Sequence, residues 1–300
     1  MSIRNAEIAA MFEEIAELLE LQQANAFRVR AYRNAARTLA AWPEEMADWG
    51  AQGRDFDDLP GVGKDLAGKI AEILARGSCD QLDRLRASFP RGITDHSRSL
   101  TVAHGLDARR LGAQIDAIDR LNEKLKDIVL LKGIEVDILP DGRLDLPDAV
   151  LARLDLVVGA VHSSLDLSRE RQTARILHAM DRPNFSILAH PNGRLFGTRG
   201  PCALDMERII RHARERGCFL ELNSQPDRLD LFDLQCRQAR DTGVAIAISS
   251  DAHHGTDLRW LALGVDQARR GWLEAGDVLN TLPLRQLRKR LAATMSPPRG

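Results

Sequence analysis

Residues 154–163 read Leu-Asp-Leu-Val-Val-Gly-Ala-Val-His-Ser, an apolar, strand-like run that closes on a polar pair. Four more runs share this form: Ile128–Ile138, Phe185–His190, Cys218–Asn223 and Val244–Ser250. Helical stretches separate them, among them Ala108–Lys126, Arg169–Met180, Asp205–Arg216 and Leu231–Thr242. Alternation of β and α over ~200 residues predicts parallel strands joined by helical crossovers. No G-x-G-x-x-G follows the first strand, which disfavours a dinucleotide-binding fold. A β/α barrel fits better.

The polar residues sit at the ends of the runs: Glu135 in LLKGIEVD, His162 in LVVGAVHS, His190 in SILAHP, Asn223 in FLELNS, and Asp251 with His253 in AIAISSDAHH. The C-terminal strand ends of a β/α barrel form its active-site face, so these side chains should converge. Glu, Asp and His together suit Zn, Mn or Fe, and such ions polarise a phosphoryl oxygen and generate hydroxide. A lone histidine at a strand end is more often a satisfied core residue. Three histidines, a Glu and an Asp at equivalent positions outweigh that reading.

Residues 5–86 read as helices only. Ile8, Met11, Phe12, Ile15, Leu18 and Leu19 form the stripe of an amphipathic helix. A second helix runs from about Asn25 to Ala41 and stops before Pro43, as helices tend to. Asp55 and Asp57 fall in a polar loop. Leu59-Pro60-Gly61-Val62-Gly63-Lys64 then matches a helix–hairpin–helix signature. Its glycines permit a tight hairpin and let backbone N–H groups, with the dipole of the following helix, meet a phosphate. Arg28, Arg30, Arg33 and Arg37 add a basic segment with Phe27 and Tyr32 interleaved. The expected partner is DNA, held through sequence-nonspecific backbone contacts.

Composition narrows the field further. The 300 residues are 44% hydrophobic and 28% charged, an ordinary globular balance. The net charge of −1 exerts no global pull on DNA, and residues 1–90 carry 11 Lys/Arg against 15 Asp/Glu, so any such contact is a local patch. No apolar run approaches ~18 residues, and MSIRNAEIAAMFEE carries acids where a signal peptide needs an unbroken apolar stretch. Cys79, Cys202, Cys218 and Cys236 show no CxxC spacing. A reduced cytoplasmic protein without a membrane partner is expected.

ITDHSRSLTVAHGL, KGIEVDILPDG, AVHSS, AHPNGRLFG, NSQPDRLDL, SSDAHH and GWLEAGDVLNTLPL resemble the PHP (polymerase and histidinol phosphatase) domain of bacterial family X DNA polymerases, from Ile93 to about Leu291. Residues 3–90 are similar to the small N-terminal lyase domain of the same family. The resemblance implies a distorted seven-stranded TIM-like barrel binding three metal ions, often including Mn. Matching motifs carry over as metal ligands His96, Glu135, His162, His190, Asp251 and His253. The family's opening H-x-H and the Asp after it have no counterpart, so one ion on Glu135, His162 and His190 is expected rather than the full cluster. The first strand and its helix are missing too, which predicts an incomplete barrel whose open edge a homo-oligomer or a rearranged N-terminal segment would cover.

The expected organisation is a helical DNA-binding domain at 1–90, a truncated PHP domain at 91–295 and a disordered tail at 296–300. The family implies 3′–5′ exonuclease and abasic-site processing in DNA repair, with Arg194 in HPNGR as a phosphate clamp. Lys69 falls where relatives keep a Schiff-base lysine, although a solvated surface lysine is the simpler reading. The palm carboxylates and the nucleotide-binding G-G-S/T motif are absent, so polymerase activity is not expected. Two alternatives remain open: a catalytically dead DNA-binding remnant and a small-molecule phosphatase.

Overall fold

Ile8, Phe12, Ile15 and Leu19 lie buried along α1 (Asn5–Leu21), as their spacing predicts. They pack against α2 (Ala26–Ala41), which turns Val29, Tyr32, Ala35, Ala36 and Leu39 inward. Phe12 and Tyr32 meet edge to face with centroids 5.6 Å apart. Asn25 caps α2 by accepting from the Phe27 amide, and extended backbone at Trp42, before Pro43, ends it. α3 (Met46–Ala51), a 3₁₀ turn at Phe56–Asp58, α4 (Lys64–Arg76) and α5 (Asp80–Ser88) complete one core with Leu59, Leu66, Ile70, Ile73 and Leu82. Gly77, in the left-handed region at φ 81°, stops α4.

The computed structural model describes residues 3–21, 24–88, 91–99, 105–125, 128–253 and 255–295. The tail expected to be disordered, 296–300, lies outside the described residues. The chain divides into two units, 1–89 and 90–300.

The second unit holds six parallel strands in sequential order: β1 (Arg91–His96), β2 (Leu130–Asp137), β3 (Leu156–Ala160), β4 (Ile187–Leu188), β5 (Phe219–Asn223) and β6 (Ile246–Ser249). Crossovers run through α6 (Ala108–Asn122), α7 (Asp148–Leu151), α8 (Arg169–Met180), α9 (Met206–Arg216) and α10 (Asp233–Thr242). After β6 come α11 (Leu261–Arg270) and α12 (Leu284–Thr294). The sheet curls into a parallel half-barrel, the incomplete PHP-type barrel that the motifs imply.

Register sets which residues share the inner face. His96 pairs with Glu135, Glu135 with Val158, Val158 with Ile187, and Ile187 with Phe219. Side chains alternate across a sheet, so Leu131, Leu156, Val158, Ala160, Ile187 and Phe219 form the apolar floor beneath Glu135. Leu279 and, from α12, Leu287 and Leu291 cover that floor. Thr294 at the end of α12 donates to Ser186 Oγ at 2.7 Å, which fastens the helix there. The chain thus closes its own inner face from the C-terminal side. Asn280 pairs with the backbone of Ile248 on the outer side of β6, while β1 pairs with no strand but β2 among the described residues.

Gly159 faces the opposite side, where a Cβ would stand 2.2 Å from Cε2 of the buried Phe185. Gly159→Ala should therefore cost about 1–3 kcal/mol through overpacking, read as a lowered urea midpoint. An unchanged midpoint would mean that β3 and Phe185 are not packed in this way.

Candidate metal centre and helix–hairpin–helix

Glu135 sits on β2 at 7% exposure, and three imidazoles surround its carboxylate. His190 Nε2 lies 2.9 Å from Oε1, His162 Nε2 3.3 Å from Oε1, and His96 Nδ1 3.6 Å from Oε2. His96 closes β1, His162 follows β3 by two residues, and His190 follows β4 by two. Ligand atoms of His96, Glu135 and His162 all lie within 4.8 Å of one another. Asp137, two residues along the same face of β2, accepts from His162 Nδ1 at 2.8 Å. That bond fixes the tautomer and turns Nε2 toward Glu135, the arrangement that orients a ligating imidazole.

The electrostatics suit a cation-binding site. Burial alone would raise the Glu135 pKa, but the adjacent His162 and His190 imidazoles hold it well below the usual carboxylate range. Burial would lower His162, yet Asp137 and Glu135 carry it up to about 9. Burial likewise opposes the charge on His190, and its contact with Glu135 raises the pKa on balance. His96 goes the other way, lowered by burial. Buried His96 Nδ1 and His162 Nε2 have no hydrogen-bond partner of good geometry among the described residues. Such orphaned nitrogens cost about 1–3 kcal/mol each, and a divalent ion would satisfy both. The donor set therefore fits a borderline-hard transition ion.

His190, expected as a ligand with Glu135 and His162, is not in this close group although its Nε2 reaches Glu135, and neither are Asp251 and His253. The exposed His253 ring donates from Nδ1 to the Asp251 carbonyl at 2.9 Å, and its centroid stands 6.0 Å from that of His96. Asp251 is held by Asn223 Nδ2 at 3.0 Å and faces Arg228 Nε at 3.6 Å. His190 and Asp251 both adopt left-handed backbone, at φ 23° and 47°, a strain that non-glycine residues tolerate mainly at functional sites.

Sequence reasoning passes over two groups here. Glu221 lies on the inner face of β5, accepts from the His190 amide at 2.7 Å and from Ser249 Oγ, and is pushed by burial up to about 7. The signal was available: in FLELN, Glu221 shares a face with Asn223. Arg228, from NSQPDRLDL, is the other.

Arg194 corrects an expectation. Its Nε donates to the Arg228 carbonyl at 2.5 Å and its Nη2 to that of Leu229. The guanidinium lies 4.5 Å from the Phe196 ring and 4.2 Å from that of Phe232. With Nε and Nη2 on backbone carbonyls and its charge flanked by rings, Arg194 braces this loop.

In the first unit, Gly61 turns at φ 79°, and Gly63 opens α4 without a side-chain cap. Gly61, Gly63 and Lys64 are exposed. Val62 differs: its side chain is buried and its amide closes the hairpin onto the Leu59 carbonyl at 3.0 Å. It anchors the hairpin and has no free donor for a phosphate. Arg28 bonds Gln81 at 2.9 Å, Arg30 stacks over Phe27 at 4.6 Å, Arg33 lies 3.9 Å from Glu13, and Arg37 bonds Asn34 at 2.5 Å. Lys69 is a second correction. It is neither solvated nor primed for attack, being 8% exposed with Nζ 2.6 Å from Asp65 Oδ1. Burial would lower its pKa, but the Asp65 bond and the charges of Tyr32 and Asp65 raise it on balance. A protonated amine is no nucleophile.

Comparison with known proteins agrees with both halves. A family model described as a helix-hairpin-helix domain matches residues 3–79. The chain is 42% identical over 195 residues to the DNA polymerase/3′-5′ exonuclease PolX of Bacillus subtilis (strain 168), covering 65% of this chain and 34% of that protein. It is 31% identical over 173 residues to a probable phosphatase of Thermoanaerobacter sp. (strain X514), covering 54% of this chain and 67% of that one. A probable phosphatase of Caldanaerobacter subterraneus is 32% identical over 143 residues, 44% of this chain and 53% of that protein. The chain thus spans about a third of the polymerase relative. Among the described residues, no helix is long and apolar enough to cross a membrane. All four cysteines are free. With its helix–hairpin–helix unit, its incomplete barrel and these relatives, the chain belongs to the PHP family, in the branch of the bacterial family X DNA polymerases.

Proposed function

We propose that the chain is a metal-dependent phosphoesterase acting on DNA, with 3′–5′ exonuclease and abasic-site activity in repair, and that it works in the cytoplasm. The convergence of His96, His162 and His190 on the buried Glu135 carries this reading. These four residues would hold one ion, Mn, Zn or Fe. When bound, such an ion polarises a phosphoryl oxygen and acidifies water. The chain supplies the rest: Asp137 orients His162, and Glu221 holds the His190 backbone. A three-metal cluster is not proposed, because the opening H-x-H and its following Asp have no counterpart in the sequence.

The first unit would hold the DNA. The uncapped start of α4 offers the amides of Gly63 and Lys64 to a backbone phosphate, with Arg28, Arg30 and Arg37 exposed on α2. Nucleotide incorporation is not proposed, since the palm carboxylates are missing. The probable-phosphatase relatives favour a second reading, hydrolysis of small phosphate monoesters without DNA.

With Mn²⁺ present, the protein should release nucleotides from a DNA 3′ end and incorporate none. His190→Ala or Glu135→Gln should abolish the release. Cleavage of sugar phosphates with indifference to DNA would establish the second reading. Salt-sensitive DNA binding without turnover in Mn, Zn or Fe would contradict both.

The histidine protonation gives a pH test. In metal-free protein the folded pKa of His162 lies at about 9, above the ordinary 6.5. Its contribution to stability is thus complete below pH 6.5 and lost as pH rises to about 9. Glu221, raised from 4.5 to about 7, has the same sign at lower pH. Urea midpoints in chelator should therefore fall across pH 6.5–9, and His162→Gln should flatten that fall. Ligands bind an ion only when unprotonated, so added Mn²⁺ should restore most stability at the alkaline end. A flat metal-free profile would contradict the His162 assignment.

A further inference from the structure

We propose that Arg228, rather than Arg194, binds the phosphoryl oxygens of the substrate, and that Arg194 is a positioning residue that fixes the turn carrying it. This rests on the phosphoesterase reading above.

The side chain of Arg228 is one-fifth exposed at the mouth of the metal centre. Its single side-chain partner among the described residues is Asp251, at 3.6 Å from Nε, which is long for an ion pair of this kind. Asp251 Oδ2 is already served by Asn223 at 3.0 Å. The two Nη groups of Arg228 are therefore not engaged by protein among the described residues. Asn223 Nδ2 links Asp251 Oδ2, at 3.0 Å, to Glu221 Oε2, at 3.4 Å, so Arg228 stands at the rim of the cluster. A guanidinium beside Asp251, at the rim of a cluster that also holds Glu221, brings the fork of parallel N–H donors that matches two phosphoryl oxygens.

The turn beneath Arg228 is over-determined, as a recognition residue requires. The Arg228 amide donates to the Gln225 carbonyl at 2.9 Å, and Gln225 Nε2 reaches the Asp251 carbonyl at 2.7 Å. Leu229 sits in left-handed backbone at φ 41°. Arg194 holds the carbonyls of both Arg228 and Leu229 while its guanidinium lies against Phe196 and Phe232. Next to it, Asn192 Nδ2 and the Gly193 amide donate to Asp230 at 2.6 and 3.0 Å. The HPNGR and RLDL segments are thereby held as one unit, with Arg194 as the brace beneath the turn that carries Arg228.

The test uses the full chain and two readouts: calorimetric titration with inorganic phosphate, and hydrolysis of bis-p-nitrophenyl phosphate with Mn²⁺. Arg228→Gln should weaken phosphate binding about tenfold or more, since a charge-assisted pair is lost. Arg228→Lys, which keeps the charge without the fork, should recover part of it and serves as the control should the glutamine variant fail to fold. Arg194→Gln should lose less, and the double variant should bind no more weakly than Arg228→Gln alone, a non-additivity that plain destabilisation does not produce. Wild-type protein that binds no phosphate, or Arg228→Gln that binds as wild type does, overturns the proposal. Phosphate binding that follows Arg228 without any hydrolysis would sink the enzymatic reading and leave this assignment standing. Hydrolysis with unchanged kcat and KM in Arg228→Gln would do the reverse.

Discussion

Glu135 is charged at a position nearly closed to water, and the inner architecture of the second unit is organised around that fact. A buried carboxylate is tolerated only when its lone pairs are met by donors or cations. Three strand ends deliver an imidazole each, and the register that pairs His96 with Glu135 makes one of those meetings unavoidable. Asp137 then answers the charge this places on His162, and Glu221 tethers the backbone that turns His190 inward. The imidazoles answer the buried carboxylate, and an ion bound there would take the same nitrogens as ligands.

The floor beneath the cluster makes this arrangement affordable in a barrel that lacks strands. Leu131, Val158, Ile187 and Phe219 would face water on an open half-barrel, but Leu287 and Leu291 of α12 lie across them. The C-terminal helix thus covers the sheet on its inner side. The polar groups then occupy the opposite, C-terminal mouth, where strand ends and loops can be aimed.

The fold was legible because each strand run is apolar throughout and stops at a polar residue, and because helices of ordinary length intervene. The three histidines around Glu135 were legible for the same reason: each lies at or just past a strand end. What stayed hidden depends on side-chain neighbours rather than spacing. The bracing role of Arg194 needs Phe232 and the carbonyl of Leu229, both remote in sequence. Lys69 falls three residues after Leu66, at the edge of the apolar stripe on α4, so its burial was half-written, but the Asp65 contact was not. The bond between His253 Nδ1 and the Asp251 carbonyl is likewise a side-chain contact that the D-x-H spacing does not show.

The central claim is that Glu135 and its imidazoles are a metal site built for one ion. Elemental analysis of the purified chain, set beside Glu135→Gln, tests it most directly. The account predicts one transition ion per chain that is lost in the variant. No bound ion, a full cluster of three, or a content unchanged by Glu135→Gln would contradict it.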